Sequence, residues 1–221
     1  MDHAQRSSPI EAELHELHPD WGMLNDMQVA LAFGCNSNAS VVLCDLSGLR
    51  RFGVKGPNAD AWLKSQGVNG PAGINQWASL ADGGIICRLA TSEFLIEDGW
   101  RGDLAQRLAA QCTYGASGVY PVLRQDGEMA LAGDRAIELL VQVCSFNFKA
   151  LKAEGAEVVM TSMAGVGVTV IRQQQASGPV HRIWCDATYA PYLWATLLAI
   201  AKELGGAALG IEEMFPGSVK A

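Results

Sequence analysis

Apolar runs of strand length alternate with helical patterns along most of the chain from residue 41 onward. Residues 41–46 form one such run, and residues 49–54 continue in an extended pattern. A helix is predicted after the turn at Gly56, because apolar residues there recur at helical spacing. Its apolar face consists of Ala59, Trp62 and Leu63. A β-hairpin is predicted next, with strands at residues 84–90 and 93–97.

A helix between Gly102 and Gly115, with Leu104, Ala105 and Leu108 on one face, completes the first half. The same order of elements then returns in the second half. A strand over residues 128–132 is followed by Gly133 and by a helix with Ala136, Leu139, Leu140 and Val143 on its apolar face. Strands are then predicted at residues 158–160, 166–172 and 182–185, with a polar hairpin tip at residues 173–179. The last helix opens at Thr188, has Leu193, Leu197, Ile200 and Leu204 on one face, and ends at Gly205-Gly206.

Both halves therefore have the order strand, glycine turn, helix, strands and second helix, with Gly56 and Gly133 in equivalent places. This predicts an α+β fold of two pseudo-symmetric units with helices outside their sheets. Residues 1–40 would be an N-terminal extension, residues 41–118 the first unit and residues 119–221 the second, together forming one compact domain. Strand and helix alternation without a duplication is the alternative.

Composition narrows the possible functions. The 221 residues are 49% apolar, which is enough for a large core and excludes a disordered chain. A net charge of −7 argues against nucleic acid and anionic membrane surfaces as partners. We find no apolar segment of membrane-spanning length and no signal peptide, and we expect a cytoplasmic protein. The mean hydropathy of +0.13 suits a subunit with a buried interface, and equally a monomer with a large core.

Generic catalytic motifs are scarce. Six cysteines occur without a CxxC pair and are predicted to be buried, reduced thiols. They are Cys35, Cys44, Cys87, Cys112, Cys144 and Cys185. His15 and His18 lie one helical turn apart, but no carboxylate or thiol completes a ligand set, so no metal site is predicted. His181 is expected at the surface or at a hairpin end.

Phosphate-binding and nucleophile motifs are also missing. Gly165-Val166-Gly167 lacks the third glycine and the helix of a dinucleotide site and is predicted to be a strand with a bulge or a close backbone approach. The acidic pairs Glu97-Asp98 and Glu212-Glu213 point to opposite faces of their segments and are expected to be solvated. No catalytic residue or metal ligand is assigned, and cofactor-binding residues stay unassigned.

Tryptophans are candidate anchors for a partner protein. Trp62 and Trp194 are predicted to belong to the core, because they lie beside apolar helix positions. Trp100 is flanked by turn residues and is the candidate for an interface, together with the N-terminal stretch of residues 9–21.

A family resemblance enters at residues 45–59, DLSGLRRFGVKGPNA. This segment resembles D-[LV]-S-H-x-G-x-x-x-V-x-G-P-D-A of aminomethyltransferases, the T protein of glycine cleavage. Ser8-Pro9-Ile10 and residues 82–86 and 190–194 agree in the same order. The resemblance implies a tetrahydrofolate-binding type of fold made of two related α+β halves.

Within that superfamily the chain is more similar to the gamma subunit of heterotetrameric sarcosine oxidase and of N-methylglutamate dehydrogenases. The similarity lies in the length and in two later motifs, Ser145-Phe146-Asn147 and residues 189–194. Those subunits lack the C-terminal domain of the transferases. In the transferases an acid/base aspartate follows the Gly-Gly-Val-Ile stretch, whereas this chain has Cys87-Arg88 there. The hairpin whose glutamate holds the pterin corresponds to residues 174–184, which contain no acid. The K-G-C-Y-x-G-Q-E motif of folate-like proteins linked to iron-sulfur maintenance is missing too.

The resemblance implies a non-catalytic gamma-type subunit of a complex that oxidises N-methyl amino acids such as sarcosine, linked to one-carbon metabolism. FAD, FMN or NAD would be bound by flavoprotein partner subunits; this chain would bind no cofactor, although tetrahydrofolate stays possible. A tetrahydrofolate-dependent aminomethyltransferase with relocated acids is the second hypothesis, and a scaffold of the same fold in another complex is the third. The sequence leaves open which N-methyl amino acid is processed, the partner surface and the oligomeric state.

Overall fold

The computed structural model describes residues 6–34, 39–112, 118–152 and 154–219. Its strands, in chain order, are β1 (Asp20–Leu24), β2 (Met27–Ala32), β3 (Val42–Asp45), β4 (Arg51–Lys55), β5 (Gln76–Ser79), β6 (Ile85–Ala90), β7 (Glu93–Glu97), β8 (Tyr120–Val122), β9 (Gly127–Ala132), β10 (Val158–Met163), β11 (Val166–Gln175), β12 (Gly178–Cys185) and β13 (Ala207–Ala208). Its α-helices are α1 (Glu11–His15), α2 (Ala59–Ser65), α3 (Leu104–Gln111), α4 (Ala136–Val143), α5 (Ala190–Glu203) and α6 (Ile211–Met214). Short 3-10 helices lie at Phe148–Ala150 and Ala187–Tyr189. The predicted α+β class is confirmed.

The chain folds into two compact units. The first unit comprises Met1–Gly48, Asp126–Gly155 and Met160–Ala221, and the second comprises Leu49–Gln125 and Ala156–Val159. The first unit is discontinuous in sequence because β3 is hydrogen-bonded to β9 and to β13, which come much later in the chain. The predicted boundaries after residues 40 and 118 divide the chain differently, and as limits of a duplicated segment they stay a prediction.

The first unit is built on a six-stranded sheet with the order β10-β11-β12-β9-β3-β13. The interior strand β9 is buried at Gly127 to Leu131, which explains its continuous rather than alternating apolar pattern. The predicted last helix is confirmed as α5, with Pro191 in its first turn and Leu193, Trp194 and Leu197 buried. The N-terminal stretch, whose pattern predicts no strand, forms the separate hairpin of β1 and β2.

The second unit contains a five-stranded antiparallel sheet in the order β5-β6-β7-β4-β8. The predicted hairpin is confirmed as β6 and β7. Its core combines the buried faces of the sheet with those of α2 and α3 and contains Phe52, Val54, Leu63, Ile86, Phe94, Ile96 and Leu108. Trp62 is only partly buried and packs against this core.

The turns at Gly56 and Gly133 have the same local geometry, one in each unit. Both glycines have positive φ, 121° and 108°, a conformation that disfavours any side chain. A Cβ on Gly56 would meet the carbonyl oxygen of Gly118, and a Cβ on Gly133 would meet that of Ser40, each at 2.4 Å. In both turns the same carbonyl accepts a hydrogen bond from the amide two residues after the glycine, and a helix follows. Gly56 and Gly133 therefore share a local turn geometry, and their equivalence as parts of a duplicated unit stays a prediction.

The segment Gly165-Val166-Gly167 is not a bulged strand, contrary to the prediction. Ala164 and Gly165 have positive φ, 49° and 83°, and form the tight turn between β10 and β11. A Cβ on Gly165 or Gly167 would have nothing within 4 Å, so no close backbone approach explains either glycine. The turn itself accounts for Gly165, because glycine adopts a positive φ without steric cost.

None of the helices in the described ranges is long and apolar enough to cross a membrane.

Candidate functional site

The first candidate position is in β6 of the second unit, where the transferase resemblance implies an acid. Cys87 is fully buried there, and the neighbouring Arg88 is partly buried. The guanidinium of Arg88 donates hydrogen bonds to the carbonyls of Pro71, Ala72 and Thr91 at 3.2, 3.1 and 2.8 Å. It also lies 5.3 Å from the centre of the Phe94 ring. Arg88 therefore joins two loops to the sheet, and neither Cys87 nor Arg88 supplies the carboxylate that the resemblance implies.

The second candidate position is the β11–β12 hairpin of the first unit, where the resemblance implies the pterin-binding glutamate. Gln175 pairs with Gly178, so Ala176 and Ser177 form a two-residue turn. Gly178 has a φ of 117°. The turn residues Gln175, Ala176 and Ser177 are exposed, and no carboxylate occurs between Arg172 and Trp184. The tip of this hairpin lacks the acid that a pterin would need.

Two acids in the second unit are buried, although the sequence predicts solvated side chains for them. Glu97 forms an ion pair with Arg51 at 2.7 Å, and each side chain is only 1% exposed. The Oδ1 atom of Asp98 accepts a hydrogen bond of 2.7 Å from the backbone amide of Ala105, at the start of α3. Burial raises the pKa of Asp98 to about 6, and this backbone hydrogen bond opposes the shift. Asp98 is thus a carboxyl group that can hold a proton near neutral pH.

The motif residues of the first unit form a buried hydrogen-bond network. Asp45 Oδ2 accepts from the hydroxyl of Ser8 at 2.7 Å, and Asp45 Oδ1 accepts from the amide and hydroxyl of Ser47 at 3.0 and 2.6 Å. The Ser47 hydroxyl accepts from the amide of Glu128 at 3.1 Å. The two motif segments around Ser8 and Asp45 therefore contact each other. Their role is to fasten the N-terminal segment to β3 and β9.

A second buried polar group in this unit is the ion pair of Glu128 and Arg182. Glu128 is fully buried, and Arg182 is 7% exposed. The Arg182 guanidinium also lies 5.5 Å from the centre of the Trp184 ring and donates to Gln173. The cost of desolvating both charges offsets much of their attraction, so a buried ion pair of this kind is weak evidence for added stability.

The histidines differ from the sequence-based expectations. His15 is the last residue of α1 and stacks near Trp21, with ring centres 4.5 Å apart. His18 has a φ of 51°, so it lies beyond the helix and the two imidazoles do not share a helix face. His181 is buried at 1% exposure rather than at the surface. Local polarity misleads here, because a long-range β-sheet position decides the burial of His181.

Five cysteines are confirmed as buried and unpaired: Cys44, Cys87, Cys112, Cys144 and Cys185. The sixth, Cys35, lies outside the described residues. Burial raises the pKa of Cys185 to about 12 and that of Cys44 well above its usual value. These thiols are poor nucleophiles at neutral pH, since the thiolate is the reactive form.

The candidate anchors for a partner protein differ in how exposed their side chains are. Trp194 is a core residue at 1% exposure. Trp100 is partly buried rather than fully exposed. In the N-terminal stretch, Ile10 and Leu14 are buried, while Trp21 is partly exposed. A partner surface at Trp100 and residues 9–21 stays a prediction.

Comparison with solved structures shows which known proteins have a similar fold. The aminomethyltransferase T of the glycine cleavage system from Bartonella henselae is similar, with a TM-score of 0.75 and 16% sequence identity. The similarity covers 95% of this chain and 61% of that one. The chain has an aminomethyltransferase fold. It spans about three fifths of the transferase's length.

Heterotetrameric sarcosine oxidase from Corynebacterium sp. U-96, solved in complex with pyrrole 2-carboxylate, contains a chain of the same fold. The TM-score is 0.65 and the identity 17%, and the similarity covers 91% of this chain and 97% of the oxidase chain. The resemblance to both proteins that the motifs predict is confirmed at the level of the fold. No protein-family model matches the sequence, and comparison with curated proteins gives no significant match.

Proposed function

We propose that this chain is a non-catalytic, gamma-type subunit of a sarcosine oxidase-like complex that oxidises N-methyl amino acids. The observation that carries the proposal is the nearly complete mutual coverage with the sarcosine oxidase chain. The similarity to the transferase covers 61% of that chain, so the match there is to one part of the enzyme. The match over nearly the whole oxidase chain supports the subunit role.

The chemistry of the two candidate positions supports the same choice. Arg88 has replaced an acid and is held by three backbone carbonyls. The β11–β12 tip has glutamine, alanine and serine side chains where a pterin would need a carboxylate. A buried pterin donor left without an acceptor would lose about 1–3 kcal/mol of binding free energy. Folate-dependent transfer is therefore disfavoured at both positions.

In this proposal the redox cofactors, FAD, FMN or NAD, belong to flavoprotein partner chains, and this subunit contributes to assembly. The complex would be a cytoplasmic hetero-oligomer linked to one-carbon metabolism. A net charge of −7 disfavours a partner that is itself strongly acidic, because like charges repel during association.

Co-purification of the tagged full-length chain from its native source tests the proposal. We expect a yellow flavoprotein to elute with it in stoichiometric amount, and the complex to oxidise an N-methyl amino acid. Washes at increasing salt distinguish a specific complex from ionic adsorption, because exposed ion pairs weaken with salt. A chain that elutes alone at every salt concentration would overturn the proposal.

Trp100 offers a variant for the same experiment. We expect Trp100→Ala to lower recovery of the partner and Trp100→Phe to restore most of it, since an aromatic ring fills an interface pocket. The melting temperature of each variant, measured on the isolated chain, controls for folding. Full recovery with Trp100→Ala would place the interface elsewhere while leaving the subunit role intact.

The second candidate function is tetrahydrofolate-dependent group transfer, and one observation favours it. Asp98 is a buried carboxyl with a pKa of about 6, as a relocated acid/base residue would have. Titration with tetrahydrofolate, followed by tryptophan fluorescence, decides between the two. No change at millimolar ligand is expected for the subunit. Saturable quenching that Asp98→Asn abolishes would support the transferase.

A further inference from the structure

A cavity of about 360 Å³ lies within the first unit. It is bordered by the β11–β12 hairpin, the start of α4 and the short helix Phe148–Ala150. Its charged or titratable lining residues are Arg172, His181, Lys149 and Asp134. The volume is within the usual range for pockets that bind small molecules.

Two nitrogen-bearing side chains meet on the cavity wall. Arg172 in β11 and His181 in β12 are direct cross-strand partners, so both side chains lie on the same face of the sheet. His181 is 1% exposed, and neither of its ring nitrogens has a hydrogen bond within the described part of the chain. The Nη1 atom of Arg172 is also buried and without a partner there. Buried polar atoms are nearly always hydrogen-bonded in folded proteins. These nitrogens therefore point to a ligand.

The charge of the cavity comes from Arg172 and the exposed Lys149, with the exposed Asp134 opposing them. Burial and the positive charge of Arg172 lower the pKa of His181 to about 4, so its imidazole is neutral at neutral pH. The carbonyl of Leu131, opposite His181 in β9, acts against this shift without reaching hydrogen-bond geometry. A neutral imidazole offers one donor and one acceptor.

Helix α4 adds to the attraction for an anion. It begins at the cavity, where Ala136 and Ile137 line the wall, and no side chain caps its first turn. The Ala136 amide itself donates to the carbonyl of Gly133 at 3.1 Å, so the helix contributes through the positive end of its dipole. Apolar lining comes from Ile137, Phe148 and Leu151. The Phe148 ring meets His181 edge-on, at 5.9 Å between ring centres.

We propose that this cavity binds a small organic acid, with its carboxylate at Arg172 and His181 and its apolar body against Ile137 and Phe148. The planar guanidinium matches a carboxylate in shape and charge. A phosphate dianion fits less well, because only one half-buried arginine faces it and Asp134 lies in the same wall. All residues of this site belong to one chain, and binding there does not depend on the proposed subunit role. The test therefore needs no partner protein.

Calorimetric titration of the full-length chain with benzoate tests the site, followed in parallel by the NMR signals of the His181 imidazole. Benzamide, which has the same shape without the charge, and inorganic phosphate are titrated for comparison. We expect benzoate to bind and to shift the His181 signals, and benzamide to bind at least about tenfold more weakly. Arg172→Gln is expected to weaken benzoate by about tenfold or more for the same reason.

Arg107→Gln is the matched control, since Arg107 is an exposed arginine of α3 that does not line the cavity. It is expected to leave benzoate affinity unchanged. Arg172→Lys keeps the charge and serves if Arg172→Gln does not fold; it is expected to give an intermediate affinity. No binding of benzoate, equal binding of benzoate and benzamide, tighter binding of phosphate, or unchanged affinity when Arg172 is replaced would each overturn the proposal.

Discussion

At the scale of single residues, the motif that carries the family resemblance has a structural role. Asp45 joins Ser8 to Ser47, and Ser47 in turn accepts from the amide of Glu128. These residues come from three separate parts of the chain and are all buried. The loss of the Ser47 hydroxyl therefore removes one buried hydrogen bond to Asp45 and another from Glu128.

Replacement of Ser47 by alanine tests this role. It removes a donor to Asp45 and leaves the buried Glu128 amide without its acceptor. We expect the free energy of unfolding, measured with urea, to fall by about 2 kcal/mol. Ser65→Ala is the control: its exposed hydroxyl donates to the Trp62 carbonyl and accepts from the exposed Gln66 side chain, and its effect is expected to stay within about 0.5 kcal/mol. Equal losses for the two variants would contradict the proposed role of Ser47.

Asp98 makes stability depend on pH in a defined direction. Its pKa rises from 3.8 to about 6 on folding, so between these values the folded chain binds more protons than the unfolded chain. The stabilisation by the neutral form is complete below pH 3.8 and is lost as the pH rises through about 6. The shift of about two pKa units corresponds to about 3 kcal/mol.

Asp98→Asn is expected to remove this dependence. The lowered pKa of His181 makes the free energy of unfolding rise with pH between pH 4 and 6.5, which opposes the effect of Asp98. The quantity to follow is therefore the difference in free energy of unfolding between wild type and variant. Urea unfolding from pH 4 to 7 is expected to show that the variant becomes more stable relative to the wild type as the pH rises. Asp60→Asn, at an exposed ion pair with Lys64, should show no such trend. Parallel curves for Asp98→Asn and wild type would contradict the raised pKa.

Residue burial is the property that the sequence predicts least well. Glu97, Asp98 and His181 all stand in polar or mixed local contexts, yet each is buried. Glu97 is paired with Arg51, which is 46 positions away in the sequence. His181 lies opposite Leu131 of the neighbouring strand β9. Local periodicity carries no information about such partners. The buried cysteines, which stand inside apolar runs, are predicted correctly for the same reason.

At the scale of elements, the glycine turns before α2 and α4 are the most constrained connections. Gly133→Ala would push a Cβ against the Ser40 carbonyl in addition to requiring a φ of 108°. We expect thermal and urea unfolding to show a loss of about 3 kcal/mol or more. Gly165→Ala is the matched control, since its φ is 83° but nothing lies near its Cβ, and about 1 kcal/mol is expected. A smaller loss for Gly133→Ala than for Gly165→Ala would contradict the crowding.

The ion pair of Glu128 and Arg182 links β9 to β12. Glu128→Leu leaves the buried guanidinium without its carboxylate and is expected to destabilise the chain by about 3–5 kcal/mol. Adding Arg182→Met should recover most of this loss, because two apolar side chains can pack where the pair was. A double variant as unstable as Glu128→Leu alone would show that Arg182 contributes through contacts other than this pair.

Long or strongly patterned elements are predictable, and short edge strands are not. The hairpin of β6 and β7 and helix α5 have clear periodicity and lie close to their predicted positions. The strands β5, β8 and β13 are four, three and two residues long, too short for a pattern, and their sheet partners define them. The candidate positions are predictable only by family resemblance, whereas the Arg172 and His181 cavity depends on strand register.

At the scale of the whole molecule, the first unit is interrupted by the second. Asp45 at the end of β3 pairs with Met129 in β9, so the two chain ends left by removing residues 49–125 lie on neighbouring strands. A variant in which a short glycine linker replaces these residues is expected to unfold cooperatively and to retain a strand-rich circular dichroism spectrum. Loss of a cooperative transition would show that the first unit needs the inserted segment for its stability.

The same interruption sets an order of events during synthesis. When the ribosome has made β3, the strand that pairs with it on one side, β9, is still about eighty residues from being translated, and β13 on the other side is later still. The nascent chain therefore carries an apolar strand without its sheet partners while residues 49–125 are translated. Residues 41–46 are therefore an apolar strand segment that can pair with other chains until β9 has been made.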